Sequence, residues 1–317
     1  MLKTIAATAT ATACALLAGC STSNGPTSSE TISGPAATIP ATPTARTPTG
    51  SGASTRGQRS GRVDKLVTFI VENKTFGQMR AQMPWVAQLA DRYGYAADYR
   101  ALTHPSLPNY LAIAGGSLFG VADDDPPSAH PVSGPSIFGR ALAVGSTAAL
   151  YAEDMNGTCE LEPDGRYAVK HNPWAYFVDE RDTCAQHDVP LDRLANDIRT
   201  GSLPDVGMVI PNMCNDAHDC PLSVANDWLQ QEVGQMMTGP DWKSGRLAIV
   251  ITADEDDGTE GNHILTVVAH PSLDHVVVET PLTHDALGRA YADVGGFAPL
   301  GNSRTAPSLL TAFGLSS

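Results

Sequence analysis

The sequence is short of positive charge: 20 lysines and arginines stand against 34 aspartates and glutamates, a formal net charge of −14 over 317 residues. That shortage argues against a basic face and so against nucleic acid as a partner. It also means that an anionic ligand is repelled unless a metal or local donors reverse the potential where it binds. Long apolar runs are missing too. The one candidate, Ile5 to Leu17, is too short to span a bilayer as a stable helix. No internal repeat is present, which argues against a solenoid or propeller. Cysteines number only six and are irregularly spaced, so a zinc ribbon is disfavoured.

What is there begins with a processing signal. Lys3, the apolar run and Leu17-Ala18-Gly19-Cys20 read as an export signal over residues 1–20. The last four residues resemble a bacterial lipobox, which implies lipidation of Cys20 and a membrane contact through an N-terminal lipid anchor; the plainer reading is a cleaved signal with Cys20 incidental. Residues 21–62 are rich in Ser, Thr, Pro and Gly with almost no large apolar side chain, and are expected to be a disordered tether. Residues 1–62 carry five basic and one acidic side chain, so their net +4 leaves −18 on the rest.

Residues 63–317 are long enough for one α/β domain, and no second linker divides them. With Cys14 removed and Cys20 lipidated, Cys159, Cys184, Cys214 and Cys220 remain, an even number in an exported chain. Of three connectivities, Cys159–Cys184 and Cys214–Cys220 are preferred because each closes a local loop around a polar cluster. Continuous β-rich apolar runs at Lys65 to Val71, Ala148 to Ala152, Val206 to Ile210, Leu247 to Thr252 and Ile264 to Ala269 suit strands covered on both faces. Helices are expected at Met83 to Tyr93, Leu107 to Ala114, Leu191 to Thr200, Val224 to Met237 and Pro307 to Ala312. The alternation predicts a largely parallel sheet sandwiched between helices, with ligands beyond the carboxyl ends of the strands.

Five polar clusters fall where strands end or helices begin: Glu72-Asn73, Thr103 to Asn109, His171 to Trp174, Asn212 to Asp219, and Asp254-Glu255 with Asn262-His263. Ser106 lies between two prolines at a helix start. Its plain role is an N-cap; its functional role is a nucleophile, since free amides and the positive helix end stabilise both an alkoxide and a phosphoryl group.

The runs Val71-Glu72-Asn73-Lys74-Thr75-Phe76, Thr103-His104-Pro105-Ser106-Leu107-Pro108-Asn109-Tyr110, His171-Asn172-Pro173-Trp174, Pro211-Asn212-Met213 with Asn215 to Asp219, and Thr252-Ala253-Asp254-Glu255 with Asn262-His263 resemble, in order, the motifs of the bacterial phosphoesterase family of secreted acid phosphatases and phospholipases C. The resemblance implies an alkaline-phosphatase-like fold. It also implies a divalent cation, of unspecified identity, held by Glu72, Asn73, Ser106, Asp254 and Glu255. The residue chemistry agrees, because carboxylate, amide and hydroxyl oxygens suit a hard cation that would lower the Ser106 pKa and neutralise a phosphate. Asp256 and Asp257 are register alternatives.

His171, His218 and His263 lie inside these motifs and are candidates to bind a phosphoryl oxygen or protonate a leaving alcohol, with Asn109 as a further phosphoryl ligand. His104 is a weaker candidate, His284 falls in a Thr-His pair that the family also shows, and His130, His187, His270 and His275 are read as structural or exposed. Asp216 is a second-metal ligand or an orienting group for His218, and Trp174 a packing anchor.

The reading is an exported hydrolase of phosphate monoesters, lipid-anchored on the outer side of the membrane or secreted, acting through phosphoserine at Ser106. Phosphomonoesterase is preferred to a phospholipase C because the body ends soon after the core motifs; a phospholipid or phosphoinositide headgroup stays open as substrate. A non-catalytic surface binding lipoprotein is the alternative from another class, against which stands the intact acid, amide and hydroxyl set.

Overall fold

The computed structural model describes residues 62–317, so the signal, Cys20 and the tether lie outside the described residues, apart from Arg62. Among the described residues ten strands are formed: β1 (Lys65–Val71), β2 (Gly94–Ala96), β3 (Tyr99–Arg100), β4 (Ala148–Ala152), β5 (Asp188–Pro190), β6 (Val206–Ile210), β7 (Leu247–Ala253), β8 (Thr266–Ala269), β9 (Val276–Val278) and β10 (Leu282–Thr283). Eight of them make one sheet in the order β5-β4-β6-β1-β7-β8-β2-β9, and β3 pairs with β10 apart from it. Every pairing of the large sheet is parallel except the two made by β8. The parallel sheet read from the sequence is therefore present.

The central strand β1 is Lys-Leu-Val-Thr-Phe-Ile-Val, buried at all seven positions and paired on both sides, by β6 and β7. A strand covered on both faces has no need of alternating polarity, and each large apolar side chain so buried contributes roughly 1.5–3 kcal/mol.

Among the described residues ten α-helices accompany the sheet: α1 (Phe76–Gln82), α2 (Pro84–Arg92), α3 (Ser106–Gly115), α4 (Ile137–Ala143), α5 (Arg181–His187), α6 (Asp192–Thr200), α7 (Leu222–Met236), α8 (Pro240–Lys243), α9 (His284–Gly295) and α10 (Leu309–Ala312). Nine of them pack in two groups, α3, α4, α9 and α10 in one, α1, α2, α6, α7 and α8 in the other, while α5 lies against β4 and β5. Trp228 of α7 meets Phe69 of β1 edge-on at 6.1 Å, and the Tyr291 hydroxyl of α9 donates to the Gly207 carbonyl of β6 at 2.7 Å. Gly288 lets α9 approach α3: a Cβ there would stand 2.5 Å from Ser303 Oγ and 3.2 Å from the Ile113 carbonyl oxygen. The helix that carries Ser106 is thereby fixed against the core.

The strand expected from Ile264 begins instead at Thr266. Ile264 gives its amide to the Tyr99 carbonyl, outside the large sheet. Both disulfides are those preferred from the sequence, Cys159–Cys184 and Cys214–Cys220. Among the described residues no helix is long and apolar enough to cross a membrane.

Candidate active site

Three parallel strands deliver acidic side chains to one rim, as chain crossovers in an open α/β sheet require. Glu72 follows β1, Asp254 follows β7, and Asp216 lies in the loop after β6; all three are buried. The main chain locks them together: the Glu72 amide donates to the Asp216 carbonyl at 2.8 Å, and the Asp254 amide to the Val71 carbonyl at 3.0 Å. Asn73 has φ 55°, a left-handed conformation that asparagine tolerates, and this turns its amide onto Asp254 Oδ1 at 3.0 Å.

Ser106 Oγ donates to Glu72 Oε2 at 2.9 Å, and the Tyr110 hydroxyl, one turn along α3, donates to the other oxygen of the same carboxylate. Pro105, not Ser106, occupies the N-cap position. The capping role allowed for Ser106 is thus not the one its hydroxyl plays. Asn109 is fully buried: its Oδ1 accepts from the Leu102 and Thr103 amides at 3.0 and 3.2 Å, and its Nδ2 donates to the Thr103 carbonyl at 2.8 Å and lies 3.3 Å from Glu255 Oε2. It therefore ties the Ser106 loop to the acidic pair after β7.

His171 lies flat against Tyr110, ring centres 5.2 Å apart, with Nε2 3.1 Å from Glu72 Oε2 and Nδ1 3.3 Å from Asp216 Oδ2. Neither contact has good hydrogen-bond geometry, since both His171 Nε2 and Asp216 Oδ2 are left unsatisfied. The contacts are better described as charge proximity. Burial disfavours the imidazolium, but the Glu72 and Asp216 carboxylates overcome it and push His171 up; burial likewise opposes the charge on Glu72, and His171, Tyr110 and Lys170 pull its pKa down all the same.

Asp254 is held well above the usual carboxylate range, first by burial and then by the like charges of Glu72 and Glu255. Glu255 rises to about 7 for the same two reasons, with His104, at 3.2 Å, acting against them. Asp254 Oδ2 is buried without any hydrogen-bond partner. Crowded acids with an orphaned oxygen fit a hard cation, whose charge removes the repulsion and whose coordination takes the free lone pair. Glu72, His171 and Asp216 also offer ligand atoms within 4.8 Å of one another.

Of the sequence candidates, Glu72, Ser106, Asn109, His171, Asp254 and Glu255 come together, with Asn73 joined through its amide. His218 is exposed at the rim, its amide on Asp216 Oδ1 at 2.7 Å and its Nδ1 2.8 Å from Asp219 Oδ1. His263 is not brought in. Its Nε2 donates to the Ala97 carbonyl at 2.9 Å and its ring stacks on Phe76 at 4.8 Å, so main-chain and packing contacts occupy it. Asp256 caps the amides of Gly258, Glu260 and Asn262, and Asp257 accepts from Gln78, which leaves the earlier register for the site. Trp174 is an anchor, stacked on Phe138 at 4.6 Å. His284, buried, donates from Nε2 to the Asp254 carbonyl at 2.6 Å and so supports the end of β7. Tyr110 and Lys170 were passed over by sequence reasoning; Tyr110 carried a signal, four residues after Ser106 on one helix face.

The comparisons agree with this geometry. The chain is 30% identical over 78% of its length to a phosphatidylinositol-3-phosphatase of Mycobacterium tuberculosis, of which it covers 82%. It is 28% identical over 61% of its length to a phosphate-repressible acid phosphatase of Penicillium chrysogenum, and spans 48% of that protein. Its fold matches a Vibrio parahaemolyticus protein of the alkaline phosphatase superfamily, with TM-score 0.54 and 11% identity over 81% of this chain and 73% of that one. The Phosphoesterase family model matches residues 56–272, and with the acid, amide and hydroxyl groups gathered at the carboxyl ends of β1 and β7 this chain belongs to the Phosphoesterase family and is a phosphate-ester hydrolase.

Proposed function

We propose that this chain hydrolyses phosphate monoesters through a phosphoserine intermediate at Ser106, with a divalent cation held by Glu72, Asn73, Ser106, Asp254 and Glu255. One observation carries the reading: the Ser106 hydroxyl at the first position of α3 donates to the buried Glu72 carboxylate at 2.9 Å. A hydroxyl so placed is oriented, has an acceptor for its hydrogen bond, and stands at the positive end of a helix dipole. When bound, the cation would supply Lewis-acid polarisation of the phosphoryl group and lower the serine pKa. The remaining work falls to side chains. Asn109 fixes the loop that presents Ser106, His171 offers positive charge beside Glu72, and His218, its Nδ1 2.8 Å from Asp219 Oδ1 at the rim, is the candidate to give a proton to the leaving alcohol.

The mycobacterial relative favours a specific substrate class, a phosphoinositide headgroup, since it is matched over most of both chains. Export and an anchor at Cys20 belong to the same reading, supported by two disulfides and the Leu17-Ala18-Gly19-Cys20 run. Phosphate release from a chromogenic monoester, a chromogenic diester and a phosphoinositide, each with and without chelator, tests it. Monoester turnover lost on chelation is the expected result; turnover of the diester alone would move the assignment to a phospholipase C.

A further inference from the structure

Asp124 joins the two sides of the site. Its Oδ1 accepts from the Leu107 amide at 3.0 Å and its Oδ2 from Lys170 Nζ at 2.9 Å. Leu107 follows Ser106 in the first turn of the ten-residue α3, and Lys170 immediately precedes His171. Lys170 Nζ is also 3.5 Å from His218 Nε2. The helix amide expected from the sequence to be free for a phosphoryl group is therefore occupied, by a carboxylate of the protein itself.

An amide at a helix N-terminus and a lysine ammonium are donors that phosphate oxygens take readily. Asp124 presents two anionic oxygens to the same two donors. Asp254 Oδ2, buried and without a partner, is the oxygen that suits the cation, and the charge of Asp254 is among those that act on Lys170. The Lys170 and Asp124 side chains are 19% and 29% exposed, so one anion can replace the other without opening the core. Burial opposes the Lys170 ammonium, but Asp124, Glu72 and Asp254 offset it and keep the charge. Beside Asp124 and Lys170 lies a cleft of about 310 Å³ walled also by Pro126, Pro163, Ala168 and Val169, with Glu162 as a further acid, a mixed apolar and polar lining next to the donors that can take the alcohol portion of an ester.

We propose that Asp124 stands, in the free protein, where two phosphoryl oxygens of the substrate bind, and that the Leu107 amide and Lys170 receive the phosphate when Asp124 swings out. The inference rests on the phosphomonoesterase reading and extends it. Lys170 becomes a residue that touches substrate, Asp124 an internal competitor, and the Pro126 to Val169 cleft the leaving-group subsite.

The test is calorimetric titration of the metal-loaded enzyme with inorganic phosphate, with folding checked by melting temperature. Asp124→Asn keeps an oxygen for Leu107 but loses the competing charge, so phosphate should bind about threefold more tightly or better, while Lys170→Gln should bind about tenfold more weakly. Lys170→Arg should stay within about threefold of the wild type. A brace that only holds the loops together gives the same sign in Asp124→Asn and Lys170→Gln, both weaker. The proposal is overturned if Asp124→Asn binds phosphate no more tightly than the wild type, or if folded Lys170→Gln binds it equally well. Should Lys170→Gln fail to fold, the Asp124→Asn sign alone decides. Because binding is read directly, absent monoester turnover in the wild type would count against the function proposed above and leave this sign pattern to be judged separately.

Discussion

The hydroxyl of Ser106 donates to Glu72 at 2.9 Å across 34 positions of sequence. The contact exists because β1 ends at the rim of the sheet and α3 begins there. Glu72 keeps Tyr110 and His171 beside it when the serine hydroxyl is removed. Ser106→Ala should therefore lower stability by only about 1 kcal/mol. It should lower turnover roughly a thousandfold or more. Equilibrium unfolding and monoester hydrolysis check the two figures, and wild-type-like turnover by the folded variant would reject Ser106.

Glu72→Gln and Asp254→Asn are nearly isosteric, so their effects report charge. Metal content, measured on the purified proteins, and activity should fall together in both. In chelator-treated protein Asp254→Asn should melt at a higher temperature than the wild type, because it removes a carboxyl whose pKa is held up first by burial and then by the like charges of Glu72 and Glu255. A lower melting temperature there would mean that repulsion is not what the cation relieves.

Tyr110→Phe deletes a donor to Glu72 and leaves the ring that covers His171. Activity should fall about tenfold at saturating substrate, with the fold unchanged. Unaltered kcat would make Tyr110 a packing residue only.

Asp188 is buried and accepts from Asn172 Nδ2 at 2.8 Å; burial raises its pKa to about 8, with Asn172 opposing. A carboxyl whose pKa is higher folded than unfolded favours the fold while protonated. Its contribution is full below the unfolded value of 3.8 and is lost as pH rises towards about 8. Unfolding free energy should thus decline over that window, and Asp188→Asn should flatten the decline. An identical pH profile for the two proteins would refute the assignment.

Much of this was legible in the chain. The seven-residue β1 and the buried β7 announce themselves as unbroken apolar runs, and the acids directly after them, Glu72 and Asp254, had to reach the rim. The short strands β2 and β9, three residues each, carry too little pattern to be seen. His263 sat in a motif, yet its fate depended on the Ala97 carbonyl, 166 positions away. Lys170 and Asp124 are 46 positions apart, one in a three-residue 3-10 turn and the other in a loop, too short or irregular for a period to fix which side chains meet. Site groups anchored to regular elements could be read; those set by loop closure could not.

The central claim is that phosphate passes through Ser106. The most direct measurement is acid quench of the enzyme during turnover of a labelled phosphate monoester, followed by peptide mapping of the labelled protein. Label on Ser106, absent in Ser106→Ala, is the predicted result. Label on His171 or another residue, or a burst of product with no labelled enzyme, would contradict it.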